Sequence, residues 1–399
     1  VTLSAVKGGA GVDPKLNAAI NVQPGVLYMD HDVQELTHAN LNLAYNFDHQ
    51  TLEIAPSTAQ FLNTVAPFSG ALIDLDRMDA NAGKGFGIDF VIKDGVAASS
   101  ISGEKPVSFD GRATGRFFST TKEFQFDNLG ISTPQGSLFG SLHMKLGDSS
   151  PEISFGGRAD KLDTTVVKQL WPFWMASKPR TWVEDNLFGG SVTNAAISVF
   201  IPAGRLREAS KTGKLQLGKD ELHISFDIDG ARMNVPGEIP PLRDTKAHFD
   251  LTGPNMAVNI DTATSYFSTG RKITLSDSSF SIPATYDKPL MADLDLTIAG
   301  SGDAIGELLT YKPLEVLQRT EFKPEDFNGK IVAKVDARIG LIKDQQPPPP
   351  DWQAKLNLDN VDLLKPMNNR KIDNLTGAIS ADPQSVHLQA QAQIDGIPA

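Results

Sequence analysis

The sequence predicts a mainly β protein, a long curled antiparallel sheet (a β-groove) with a small helical insertion. Three observations carry that expectation. Apolar and polar residues alternate with a period of two in run after run, Gly, Asn, Asp and Pro punctuate the runs, and helical windows are few. Successive strand side chains point to opposite faces, so each run makes a strand with one apolar and one wet face.

Leu41, Leu43, Tyr45 and Phe47 open the series, and Phe124 and Phe126 repeat the theme. Leu222, Ile224, Phe226 and Ile228 alternate with His223, Ser225, Asp227 and Asp229. Ala247, Phe249 and Leu251 follow, then Leu294, Leu296 and Ile298. Ile331, Ala333, Val335, Ala337 and Ile339 alternate with Lys334, Asp336 and Arg338 among their polar neighbours. Val386, Leu388, Ala390, Ala392 and Ile394 are interleaved with His387, Gln389, Gln391 and Gln393.

Helices are expected at Thr164 to Leu170 and Pro179 to Leu187, around Trp171-Pro172 and ending at Gly189-Gly190. Further windows are Asp303 to Tyr311 with Leu314 to Arg319, and Thr58 to Val65. The expected organisation is a β segment over 1–160, a helical insertion over 161–190 and a β module over 191–344 with a short helix near 303–319. Residues 345–350, with four consecutive prolines, form a stiff linker or strand-edge loop, and 351–399 open the next repeat. Sliding the sequence by 130 positions lays Leu222–Thr264 on Trp352–Ile394 without a gap, preserving apolar/polar parity. Any two alternating segments align tolerably; the other reading is a module used more than once.

Of 399 residues, 37 are Lys or Arg and 48 are Asp or Glu, so the net charge of −11 argues against nucleic acid as a partner. Without Cys there is no disulfide framework or thiol nucleophile. No segment approaches the roughly 20 apolar residues that cross a bilayer. No signal peptide is visible, and both ends read as cut.

No enzyme is expected. Ser132 has Gly130 before it but Pro134 after it, which is not a nucleophile elbow. Gly83-Lys84-Gly85-Phe86-Gly87 lacks P-loop spacing and leads into the alternation of Phe86, Ile88, Phe90 and Ile92, so it reads as a strand entry. The seven His show no metal-ligand spacing. Asp74/Asp76, Asp227/Asp229 and Asp293/Asp295 sit on wet faces, where solubility explains them. Neither cofactor nor metal is called for.

Many strands with one apolar face and few helices leave a question of cover. Either two sheets close as a sandwich, or one sheet curls so that its apolar face lines a trough, stable in water when filled with something greasy. The trough would be lined by Leu41, Leu43, Leu222, Ile224, Phe226, Ile228, Phe249, Leu251, Leu294, Leu296, Ile298, Ile331, Val335 and Ile339. Trp171, Phe173, Trp174 and Trp182 cluster beside Lys178 and Arg180, as a lid over the trough or as an interface with lipid. The alternatives are a structural or protein-binding stack of sandwiches and a lectin-like β protein.

Leu170-Trp171-Pro172, the run Arg180-Thr181-Trp182-Val183-Glu184-Asp185-Asn186-Leu187-Phe188-Gly189-Gly190 and Val192-Thr193-Asn194-Ala195 resemble a helical segment of the YhdP branch of AsmA-like proteins. Val235-Pro236-Gly237, Ile239-Pro240-Pro241-Leu242 and the helix near Ala304–Leu309 resemble the repeat after that segment. The detailed resemblance covers about half of the chain; residues 1–160 match only in their alternation. It implies a TamB-related, bridge-like protein of the Gram-negative envelope, located in the periplasm and anchored to the inner membrane by a helix of the parent protein. Such proteins have a curled sheet with an apolar interior thought to carry phospholipid toward the outer membrane. The implied partners are phospholipid acyl chains and, through the parent's anchor, a membrane.

Overall fold

Regular alternation becomes a regular ladder. A computed structural model describes residues 2–6, 15–29, 32–78, 83–98, 103–171 and 177–399. Among the described residues the chain is mainly β, with one 23-stranded antiparallel sheet that does not close into a barrel. It divides into two compact units, Val1–Asp185 with Val192–Ile224, and Asn186–Ser191 with Ser225–Ala399.

The first unit holds β1 (Thr2–Val6), β2 (Lys15–Val22), β3 (Gly25–Met29), β4 (Asp32–Asn46), β5 (Thr51–Phe61), β6 (Thr64–Asp74), α1 (Leu75–Met78), β7 (Gly85–Ala97) and β8 (Val107–Phe118). β9 (Glu123–Thr133), β10 (Gly136–Lys145), β11 (Glu152–Asp163), α2 (Thr164–Leu170) and α3 (Ser177–Asn186) follow. Consecutive strands from β4 to β11 pair as a meander, so one apolar row crosses eight of them: Tyr45, Leu52, Leu72, Ile88, Gly115, Phe126, Leu142 and Phe155. Gly115 is glycine because the Phe126 ring lies over it; an added Cβ would come 2.8 Å from that ring and 2.4 Å from the Gln125 carbonyl oxygen.

Thr58 to Val65 is not a helix. Phe61 pairs with Thr64 across Leu62 and Asn63, and Leu62 takes φ 51°, so β5 and β6 form a tight hairpin. Local helical periodicity lost there to pairing on both sides, β5 with β4 and β6 with β7. α2 matches its expected span, and its Val166 packs with Val107, Ala159 and Leu162. Lys168, 1% exposed, is the charged anchor: its Nζ lies 2.7 Å from Glu104 Oε1, and the Thr165 hydroxyl also donates to Glu104.

β12 (Leu187–Phe188), β13 (Ser191–Ile201), α4 (Arg205–Thr212) and β14 (Leu222–Met233) lead into the second unit. That unit continues with β15 (Leu242–Thr252), β16 (Asn255–Tyr266), β17 (Lys272–Ile282), β18 (Met291–Ser301), α5 (Gly302–Leu308) and β19 (Lys330–Gly340). β20 (Asp351–Met367), β21 (Arg370–Ala381), β22 (Val386–Ile394) and β23 (Ile397–Pro398) complete it. The helix expected over Asp303 to Tyr311 is α5, which ends at Leu308; in the adjoining window Leu314 lies in a turn and Leu317–Arg319 form a 3-10 helix. The proline run joins β19 to β20, which pair directly, Arg338 with Asp351.

The spacing of 130 is structural. Phe249 pairs with Val258 as Ile379 pairs with Leu388, and the five pairs from Ala247–Ile260 to Leu251–Met256 recur at 377–390 to 381–386. Left-handed residues recur too, Gly230 with Asn360 and Asp244 with Asn374. Beyond the bulge the two registers differ by one residue.

α5 caps one end of the apolar face. Ala304, Ile305 and Leu308 are buried against Leu242, Ile260, Ile273, Leu275, Ile331 and Leu358. Arg271 fastens it, with Nε 2.7 Å from Asp303 Oδ2 and Nη1 2.9 Å from Glu307 Oε2. Burial raises the Asp303 pKa, but the Ser301 hydroxyl and the Arg271 guanidinium outweigh it, and the net shift is downward. A carboxylate with a depressed folded pKa contributes stability above its unfolded pKa and loses it as pH falls through the folded value. The thermal midpoint of the second unit should therefore drop on acidification below about pH 4, and Asp303→Asn should flatten that part of the profile. An unchanged slope in the variant would dismiss the Arg271 clamp as a source of stability.

A candidate apolar binding face

Burial along the strands of the second unit is graded. On β19, Ile331 and Ala333 lie under the α5 end and are 6% and 7% exposed, whereas Val335, Ala337 and Ile339 on the same face are half-buried. Between them Lys330, Val332, Lys334, Asp336 and Arg338 are exposed. The same gradient runs along β20, from half-buried Trp352, Ala354 and Leu356 to buried Leu358, Val361 and Leu363. The end under α5 is core and the middle of the face is half-buried, while Ile282 and Ala292 at its far margin are buried again.

Register makes the lining continuous. Phe249 faces Val258, Val258 faces Phe280, Phe280 faces Leu294, Leu294 faces Ala337 and Ala337 faces Trp352. Phe226 of β14 stacks on Phe249 with ring centroids 4.6 Å apart and planes 14° from parallel. This strip crosses seven strands, β14 to β20. Beside it, Leu296 faces Val335 and Val335 faces Ala354; nearer the helix, Ile298 faces Leu275 and Ala333. Leu251 faces Met256 at the other margin.

The sequence-predicted lining residues lie on strands of both units. Phe226, Ile228, Phe249, Leu251, Leu294, Leu296, Ile298, Val335 and Ile339 are half-buried in the second unit, and Ile331 belongs to the core under α5. Leu222 and Ile224, in the part of β14 assigned to the first unit, are half-buried. Leu41 and Leu43 lie in the first unit, Leu41 opposite Ile20 and Leu43 between Ala18 and Ile54. Of the tryptophan cluster, Trp171 is half-buried and Trp182, on α3, is 51% exposed. Phe173 and Trp174 lie outside the described residues.

Val258, Phe280 and Trp352 join the strip without having been singled out. Phe280 is hidden by a parity switch within β17. Ile273 and Leu275 are odd-numbered, whereas Phe280 and Ile282 are even-numbered, yet Leu275 and Phe280 share a face through Ile298 and Leu294. Asp277 at φ 44° absorbs the extra residue, and the Thr297 N–H donates to the Ser278 hydroxyl at 3.0 Å. The same device serves the first unit, where the Asn42 N–H donates to Ser57 Oγ at 3.0 Å. The Ser-Asp-Ser-Ser run at 276–279 was the readable signal of this bulge.

The other face is polar. Ser279, Asp295, Asp336 and Gln353 form one row and Ser281, Asp293, Arg338 and Asp351 the next, with Arg338 Nη1 3.4 Å from Asp293 Oδ1. An open depression of about 420 Å³ is lined by these residues together with Leu294, Ala337 and Trp352. Among the described residues no group of three or more His, Cys, Asp or Glu is placed to hold a metal ion. No described helix is long and apolar enough to cross a membrane. No family model, curated protein or solved structure matches the chain.

Proposed function

We propose that the chain is a non-catalytic lipid-binding segment whose apolar face holds and passes phospholipid acyl chains. One observation carries this reading: a half-buried apolar strip crosses seven consecutive strands with no charged residue in its rows. Burial of apolar surface contributes about 25 cal/mol per Å², or roughly 0.8 kcal/mol per CH2, so part of one acyl chain gains several kcal/mol. A lining built from Phe, Leu, Val and Ala rows offers no single pocket, so a chain can slide along it. The resemblance of Trp182 to Gly190 and its flanks to the AsmA-like family supports the same reading. We extend it to a periplasmic conduit toward the outer membrane, with the inner-membrane anchor in the parent protein.

Native mass spectrometry of the purified chain tests this. Co-purified phospholipid, released when the gas-phase ions are activated, is expected; a chain that is lipid-free when gently extracted and takes none up from vesicles would remove the proposal. It would favour the alternative, a structural or protein-interaction module of the cell envelope.

A further inference from the structure

Residues 202–221 leave the sheet after β13 and return to it at β14, carrying α4 within the first unit. The excursion is tied down. The Gly204 N–H donates to the Ser150 carbonyl at 3.3 Å, Arg205 Nη2 lies 3.0 Å from Glu221 Oε1, and Leu217 is buried. Gly213, left-handed at φ 65°, ends the helix, and the Lys214 N–H returns to the Ala209 carbonyl at 3.2 Å.

What this held segment presents is cationic. Residues 202–221 contain five basic and three acidic side chains, a net +2 where the whole chain carries −11. Among the described residues only Arg205 of the five pairs with a carboxylate, that of Glu221. On α4, Leu206 and Ala209 are half-buried on one side; Arg207 and Lys211, four residues apart and so on one face, are exposed on the other. Lys214 is exposed just past the helix, next to Leu215, which is 39% exposed. At about 0.1 M salt, charges more than roughly 10 Å away are screened, so the distant carboxylates of the chain do not cancel this patch.

We propose that α4 and the turn after it form a docking surface for the anionic face of a lipid bilayer. Arg207, Lys211 and Lys214 reach headgroup phosphates, and Leu215 enters the boundary between headgroups and acyl chains. The exposed leucine favours a bilayer over an acidic polypeptide, because only the bilayer offers hydrocarbon beneath its negative charge. The surface lies on a connection between strands, and it stands whether or not acyl chains are held on the apolar face.

Vesicle flotation of the whole chain tests it, with phosphatidylcholine alone and with phosphatidylglycerol added at one part in three. At about 0.1 M salt the protein should float with the mixed vesicles and not with the neutral ones, and about 1 M salt should release it. Arg207→Gln, Lys211→Gln and Lys214→Gln should each lower the partition coefficient about fivefold, and together about a hundredfold. Circular dichroism should not change, because all three side chains are exposed. Leu296→Arg should float as the parent does. The chain has no Cys, so Leu215→Cys accepts a single polarity-sensitive dye. Its emission should shift to the blue on mixed vesicles, whereas a dye at Gln135→Cys, in the turn at the opposite end of β10 from Ser150, should not respond. Equal flotation with both vesicles, parental flotation of the triple variant or no shift at 215 overturns the proposal. So does loss of flotation in Leu296→Arg, which would make attachment a property of the apolar face. Retention on polyglutamate equal to that on mixed vesicles would assign the surface to an acidic protein and overturn it as well.

Discussion

Leu296→Arg is expected to strip lipid from the chain while leaving its fold in place. Leu296 is half-buried beside the aromatic strip and faces Val335. A guanidinium there meets hydrocarbon whenever an acyl chain occupies the lining, and an unpaired charge against hydrocarbon costs several kcal/mol. Without lipid the long arginine stem can lie along the face with its head in water, so folding is spared. Retained phospholipid should fall by about tenfold or more, a loss of at least ~1.4 kcal/mol, with the circular dichroism spectrum unchanged. Lys334→Glu, on the exposed side of β19, should retain lipid as the parent does. A folded Leu296→Arg protein carrying its full lipid complement would count against the apolar face as the binding surface.

Gly329→Ala should produce a large loss of stability. Gly329 sits at φ 87°, and an added Cβ would lie 2.3 Å from the Asn360 carbonyl oxygen and 2.8 Å from Val361 Cα. Its carbonyl also accepts the Gly302 N–H at 3.0 Å, joining the start of α5 to the strand after it. Left-handed backbone alone costs about 1–2 kcal/mol with a side chain; displacing neighbouring backbone adds to this, for a total of ~3 kcal/mol or more. Gly230→Ala is the control, since φ is 70° there but nothing lies within 4 Å. Urea unfolding of the second unit should separate the two variants. Equal losses would mean that conformation, not close approach, fixes the glycine. The same crowding recurs at Gly190, φ 71°, where a Cβ would come 2.5 Å from the Ala231 nitrogen.

Much of this was legible because strand parity is a local property. Leu294, Leu296 and Ile298 announce their face by alternation, and their partners on β19 obey the same rule, so the pairs meet without distant information. Parity fails where a bulge intervenes: Asp277 at φ 44° moves Phe280 onto the face of Leu275 against a naive count. The helices divide by composition. α2 shows Val166, Val167 and Leu170 on a stripe that packs on the sheet. α4 reads Arg-Leu-Arg-Glu-Ala-Ser-Lys-Thr, buries no residue and is marked only by left-handed Gly204 and Gly213 at its ends. At Thr58 to Val65 the window was too short for periodicity to outweigh strand pairing. Alternation identifies an apolar face but not its cover: only contacts distant in sequence place α5 over Ile331 and leave Val335 as lining.

A photo-crosslinking residue walked along β19 tests the lipid-lining proposal most directly. Val335 and Lys334 are adjacent in sequence and on opposite faces of one strand, half-buried and exposed respectively. With phospholipid bound, a probe at 335, like one at 226, should form a lipid adduct, and a probe at 334 should form none. Equal capture from both positions, or capture at 334 alone, would contradict a lipid path along the apolar face.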